Sequence, residues 1–319
     1  MKDSRLKNIL VNLRAFFGVN INKRINENLG KIIALEEELD RQKLFSQVLF
    51  YYMHHPELAK VYAKELDYLH DTGNFCNFPY SPDPEPNGLV SGFDSDHQLP
   101  FVVHKGKKLY FPSTFSAEDA LKSYLNYIQV EKLLGVDERA DAPHQYQSPN
   151  IKVAEGDVVF DIGSAEGLFA LDQVEKASHI VLVENDPLWR NALKQTFAPF
   201  SDKVTIIDKL VSATDTVSSI SLGKLLMDFD YDSAFVKMDI EGYELPSITA
   251  AEDVLKQRKG IKLAVASYHK QNDAEELKAI FDQLGYDTEF SGGCMLFSMY
   301  KTPLPPYFRK GIIRAKHIG

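Results

Sequence analysis

Cysteine is scarce. Of 319 residues only Cys76 and Cys294 carry a thiol, so no disulfide framework can be built. Neither stands in a Cys/His spacing that holds zinc, and so few thiols suit a reducing, cytoplasmic setting. Long apolar runs are missing as well. No stretch approaches the roughly 20 residues of a membrane span, and the N-terminus lacks the uninterrupted apolar segment of a secretory leader. Positive charge is outweighed, with 36 Lys and Arg against 45 Asp and Glu and a formal net charge of -9. Nucleic-acid binding needs a basic field that releases counterions, so no nucleic-acid partner is expected beyond a local patch. Internal repeats and low-complexity tracts are absent too.

What is present suffices for a full core: 44% of residues are hydrophobic and 25% charged. Four zones are expected. Residues 1–72 read as a helical module, with Leu6, Ile9, Leu10, Leu13, Phe16 and Phe17 at helical spacing, then Ile32, Leu35, Leu39, Val48 and Leu49. Arg5, Lys7 and Arg14 flank the first apolar stripe. That helix could lie on an anionic membrane surface, though packing on the domain is the simpler reading. Ile32, Leu35 and Leu39 hint at a homodimeric coiled coil, which Gln42 and Ser46 interrupt. Residues 73–150 read as an irregular linker and substrate-side cap. Prolines between Pro79 and Pro100 forbid long helices there, a hairpin is expected around FVVHKGKKLYF, and Ser116 with Asp119 predicts a helix start.

From Asp157 short β-rich runs alternate with helical ones, the pattern of a parallel α/β sheet. Strands are predicted at DVVFDIG, HIVLVE, KVTIID, AFVKMDI and KLAVASY. Helices are predicted at Gly167–Lys176, Pro187–Phe197, Ser221–Phe229, Tyr243–Gln257 and Asp273–Leu284. The domain, residues 151–302, is expected to finish with an antiparallel pair, YDTEF and MLFSMY, joined at Gly292–Gly293. Residues 303–319 read as a basic, peripheral tail.

DVVFDIGSAEGLFAL turns from a buried strand into a helix through glycines. Gly163 permits the reversal and Gly167 a close helix start. A dinucleotide fingerprint requires glycine where Ala165 stands, and Asp161 and Glu166 would repel a pyrophosphate. A P-loop requires a Lys-Ser/Thr pair that is not there. The cationic sulfonium and ammonium of S-adenosylmethionine (SAM) reverse the sign, so the same acids attract it. Asp161, Gly163, Ser164, Glu166 and Gly167 are therefore expected at the cofactor. Glu184, ending the next strand in HIVLVENDP, is expected to take the ribose hydroxyls, with Asn185 and Asp186 beside it. Trp189 suits core packing as well as an adenine neighbour.

Three passages resemble the FkbM-type SAM-dependent methyltransferases: VVFDIGSAEGLFAL, the E-N-D-P, and FVKMDIEGYELPSI. The third is similar to the family's K-x-D-x-E-G-x-E stretch, at Lys237, Asp239, Glu241, Gly242 and Glu244. ASYHKQNDAEELKAIFDQLGY resembles the family's end region, and the resemblance runs from about Ser116 to Tyr300. It implies a class I methyltransferase fold, Rossmann-like, with a seven-stranded sheet, helices on both faces and an antiparallel last strand. It further implies a methionine-binding loop at Asp161, Gly163 and Gly167, a ribose acid at Glu184, and Asp239 at the methyl-transfer crevice. Family members commonly methylate hydroxyl oxygens of sugars or secondary metabolites.

Transfer to a hydroxyl needs a base or a charge beside the developing alkoxide. His269, following the fifth strand, is the first candidate, since an unperturbed histidine titrates near neutrality. Asp239 is the second, with orientation of the SAM ammonium its alternative role. Glu241 and Tyr243 are expected to touch the acceptor, and Glu244 to do so or to cap the following helix. His144 and Tyr146, in APHQYQSPN, are expected on a flap over the crevice. No metal is expected, because Asp239 and Glu241 alone offer too few ligands. The rival functions are an NAD-dependent oxidoreductase and a non-catalytic scaffold that keeps the SAM fold.

Overall fold

The computed structural model describes residues 28–36, 38–73, 88–134, 142–297 and 303–318. The helix expected around Arg5, Lys7 and Arg14, Cys76, and the prolines from Pro79 to Pro86 lie outside the described residues. Two compact units are present, Met1–Ala63 and Lys64–Gly319. In the first, residues 28–36 and 38–53 are helical (α1), followed by α2 (Pro56–Val61), whose proline occupies the first turn. Leu44, Val48 and Tyr52, four apart, are the buried residues of α1, while Ile32, Leu35 and Leu39 are exposed. Among the described residues no helix is long and apolar enough to cross a membrane.

The second unit takes in most of α3 (Ala63–Thr72) and then a small antiparallel sheet of β1 (Ser91–Asp94), β2 (Leu99–His104) and β3 (Lys107–Tyr110). The expected hairpin is present: Lys105 and Gly106, both at positive φ, form its two-residue turn. Ser116 starts α4 (Ala117–Leu125) with a full capping box, its Oγ accepting from the Asp119 N–H at 3.1 Å. The helix then widens into a single π turn, Asn126–Val130.

The main sheet follows. Its first strands are β4 (Val158–Ile162), β5 (His179–Val183) and β6 (Val204–Ile207), with α5 (Leu168–Gln173) and α6 (Pro187–Phe197) between them. A short parallel pair, β7 (Leu210–Ser212) and β8 (Ser219–Ser221), precedes α7 (Leu222–Met227). Then come β9 (Ala234–Met238), α8 (Glu244–Ala250), α9 (Glu252–Gln257), β10 (Ile261–Ala266), α10 (Asp273–Gln283), β11 (Tyr286–Phe290) and β12 (Ile312–His317). The seven strands lie in the order β11-β12-β10-β9-β4-β5-β6, with β12 antiparallel to both neighbours.

β4 and β9 are buried at every position, because both faces of the sheet are covered. Val159 and Phe235 face one apolar cluster with α4, α5 and α6, and Phe160 and Val236 face another with α7 to α10. The chain runs outward from β4 to β6, then returns to β9 on β4's other side. A crevice opens at the carboxyl ends of β4 and β9, where such sheets bind ligands.

One strand assignment is corrected. YDTEF forms β11, but its partner is β12 in the segment expected to be a peripheral tail, not MLFSMY across Gly292–Gly293. Met295 makes only an isolated bridge to Arg309, and residues 298–302 lie outside the described residues. Arg314 explains the misreading: charged in sequence, it is fully buried, with Nη2 donating to the Gln145 carbonyl at 2.7 Å.

Candidate functional site

A cleft of about 730 Å³ runs along the carboxyl ends of β6, β5, β4, β9 and β10, in that spatial order. Lys209–Val211, Glu184–Asp186, Gly163–Glu166, Asp239–Glu241 with Tyr243, and Tyr268 line it in turn. Seven carboxylates face it against two lysines and His144, so its charge is negative.

The loop after β4 is held by its neighbours on both sides. Gly163 has φ 72°, and a Cβ there would come within 1.9 Å of the Asp239 carbonyl oxygen, so the ends of β4 and β9 can touch only through glycine. Gly167, at φ 80°, is placed for another reason than expected. It does not line the cleft; a Cβ would meet Phe197 at 2.8 Å and Leu193 at 2.9 Å, so it serves the packing of α5 on α6. Ala165 takes φ 43°, rare for a residue with a side chain, and its N–H donates to Glu184 Oε2 at 2.9 Å.

Asp161 is fully buried, 3.0 Å from Lys237 Nζ, with its other oxygen accepting the Ala170 N–H. Burial raises its pKa and Lys237 opposes that rise, so its charge is answered within the protein. Lys237 also donates to the Gly163 carbonyl, tying β9 to the loop. Burial pushes the Glu166 carboxyl up to about 7. Ser164 Oγ is buried, with no hydrogen-bond partner among the described residues.

Glu184 is half-buried at the end of β5, and its Oε1 accepts the Asp186 N–H at 2.8 Å. Each oxygen keeps a second lone pair for a ligand hydroxyl. Asp186 caps α6 by accepting from the Leu188 N–H. Trp189 both lines the cleft and packs on Phe111 and Phe115.

Asp239 is the centre of the other end. Its Oδ2 accepts the Tyr146 hydroxyl at 2.6 Å, His144 Nε2 at 3.0 Å and the Tyr268 hydroxyl at 3.1 Å. Burial raises its pKa, but the His144 hydrogen bond and the surrounding cations outweigh it and hold the carboxyl well below its ordinary range. His144 Nδ1 lies 2.7 Å from Glu131 Oε2. Burial opposes its charge, yet Asp239 and Glu131 together raise it to about 9. At neutral pH it is an imidazolium between two carboxylates. Burial and Asp239 push both tyrosines well above their ordinary range.

His269 differs from the neutral base expected. It does not line the cleft, and its side chain is 4% exposed. Its Nε2 lies 3.5 Å from Asp239 Oδ1 and 3.3 Å from Glu241 Oε2, and its Nδ1 lies 3.0 Å from Glu244 Oε1. Burial disfavours its charge, but these carboxylates raise its pKa to about 10, so the ring is already protonated where a base must be empty. Glu244 is also buried, and its Oε1 accepts the Ile240 N–H at 2.7 Å, closing the turn after β9. It holds backbone and not an acceptor. Glu241 and Tyr243 remain exposed at the rim.

The fold thus brings Asp161, Gly163, Ser164, Glu166, Glu184, Asn185, Asp239, Glu241, Tyr243, His144 and Tyr146 to one cleft, and leaves His269 and Gly167 behind its wall. Tyr127 and Glu131 were missed. They reach the cleft from the widened π turn and the residue after it, a feature no side-chain pattern announces.

Strand order, the reversed β12 and the crevice beside β4 define the class I methyltransferase fold. No protein-family profile matches the sequence, and no curated protein does. Among solved structures, methyltransferase FkbM from Methylobacillus flagellatus is 19% identical at a TM-score of 0.40, over 52% of this chain and 44% of that one. The chain therefore spans less than half of that protein. A SAM-dependent O-methyltransferase from Thermotoga maritima is 16% identical at a TM-score of 0.35, over 54% of this chain and 63% of that one. A precorrin-6y C5,15-methyltransferase from Geobacter metallireducens is 16% identical at 0.36, over 53% and 83%. Likeness this remote assigns no acceptor; the fold rests on the strand order itself.

Proposed function

We propose that the chain is a SAM-dependent methyltransferase of the FkbM type that transfers a methyl group to a hydroxyl oxygen of a sugar, glycan or secondary-metabolite acceptor. The observation that carries this reading is the sign of the cleft: seven carboxylates against two lysines and the His144 imidazolium at the switch point of the sheet. A pyrophosphate is repelled there, whereas a ligand bearing a sulfonium and an ammonium is drawn in. The donor set also fits. Glu184 has lone pairs free for a ribose diol, and the buried Ser164 Oγ has no partner of its own.

Bound SAM supplies an electrophilic methyl carbon on a good leaving group, so the protein's part is positioning and charge. By strand order, Leu210, Val211 and Trp189 take the apolar end of the cofactor, Glu184 and Asn185 its ribose, and Gly163 to Glu166 its amino-acid end. Asp239 is held ionised by His144, Tyr146 and Tyr268, and presents fixed negative charge beside the cationic reacting centre. Tyr243 and Glu241, at the rim, bracket an acceptor that carries hydroxyls and no phosphate.

Calorimetric titration tests the reading. S-adenosylmethionine and its demethylated product S-adenosylhomocysteine should each bind one per chain, and NAD should give no heat. Binding of NAD with silence toward both adenosyl ligands overturns it.

A further inference from the structure

We propose that Asp239, Glu244 and His269 form a divalent-cation site against the wall of the cleft, selective for an ion of the Mn²⁺ or Zn²⁺ kind over Mg²⁺. It goes beyond the cofactor reading and does not depend on it. One ligand-capable atom from each of the three lies within 4.8 Å of the other two. Bonds of about 2.0–2.2 Å place the ligands of one ion roughly 3–4.4 Å apart, so a small contraction closes the site.

Two observations beyond the clustering of acids point to a ligand. Glu244 is fully buried, and its Oε2 has no hydrogen-bond partner among the described residues, while its other oxygen is engaged by the Ile240 N–H. His269 is almost as buried, and its Nδ1 makes an ion-pair contact with Glu244 Oε1 at 3.0 Å that falls short of hydrogen-bond geometry. One buried carboxylate oxygen is thus unmet and the facing ring nitrogen is poorly met, a costly arrangement in a folded protein.

Charge gives the same answer. Asp239, Glu241 and Glu244 all lie within 3.5 Å of the His269 ring nitrogens. One imidazole carries at most a single positive charge, and three carboxylates surround it. A doubly charged ion that takes the place of one ring proton leaves one more positive charge there, and the exposed Glu241 is within reach to add a fourth ligand. One imidazole with carboxylates is a mixed nitrogen and oxygen set, which suits Mn²⁺ or Zn²⁺, whereas Mg²⁺ favours oxygen and retained water.

The full chain, stripped with EDTA and freed of it, is titrated with Mn²⁺ while the spin-resonance signal of the free ion is followed. One Mn²⁺ per chain should bind, with displacement by Zn²⁺ and a rise in melting temperature. Glu244→Gln, Asp239→Asn and His269→Gln should each weaken binding at least tenfold, judged on whichever variants melt like the wild type without metal. Absence of saturable binding up to about 1 mM, the weak end for protein cation sites, overturns the proposal. So does one-to-one binding that these substitutions leave unchanged. S-adenosylhomocysteine calorimetry on the same stripped protein separates the two readings: normal heat without Mn²⁺ binding sinks the cation site alone.

Discussion

His144 is the residue with the most at stake, because two carboxylates share its one positive charge. Taking it away leaves Glu131 and Asp239 facing each other with no cation between them. His144→Ala should lower stability by about 3 kcal/mol or more, as removal of one partner from a buried ion pair does, and a urea midpoint at unchanged slope measures it. Glu166 yields a pH prediction. Its folded pKa, about 7, lies above its unfolded value, so its favourable contribution is complete below the unfolded pKa and is lost as pH rises through about 7. The unliganded protein should therefore lose melting temperature between pH 5 and 8 (roughly the window of the shift), and Glu166→Gln should flatten that slope. The sulfonium and ammonium of S-adenosylmethionine favour the ionised form, so its affinity should climb over the same window and become level in the variant. An unchanged slope in Glu166→Gln refutes both.

At the scale of elements, the close approach of β4 and β9 makes Gly163 intolerant. Gly163→Ala places a methyl on the Asp239 backbone and should cost about 2–4 kcal/mol, the range of strain and overpacking combined. Equilibrium unfolding reads this, and a loss under 1 kcal/mol (roughly one tenfold step is 1.4) would show that the strand ends can part. The capping box of α4 is milder: Ser116→Ala should cost about 1 kcal/mol. Elements also show where sequence reading succeeds. AFVKM and VVFDI are recognisable because a strand covered on both faces is apolar without alternation, and α6 because Asp186 caps it and Pro187 opens it. β12 escaped because Arg314 and Lys316 look like solvent-facing residues, and the Gln145 carbonyl and Glu289, both distant in sequence, help make Arg314 tolerable inside. Glu131 escaped for a related reason: its partner, His144, is supplied by the fold and not by any spacing.

The whole molecule carries a net charge of -9, and its cleft has the same sign. Retention on heparin or a gel shift with RNA should therefore be absent at moderate salt, where basic binders are held by counterion release. Saturating S-adenosylhomocysteine should raise global stability by about 2.7 kcal/mol at a hundredfold excess over Kd, since ligation of the native state alone shifts the equilibrium by that amount. A melting temperature that ignores the ligand would contradict the cofactor assignment at this scale.

β12 is the twelfth strand in chain order, yet it lies between β10 and β11 in space. Until residues 312–317 have been synthesised, β10 has an open edge on one side and β11 has no strand partner among the described residues. A nascent chain of eleven strands therefore exposes an adhesive apolar margin, the kind that recruits other chains. Chaperone dependence during translation, and clumping of any product truncated before Ile312, are what this late insertion entails.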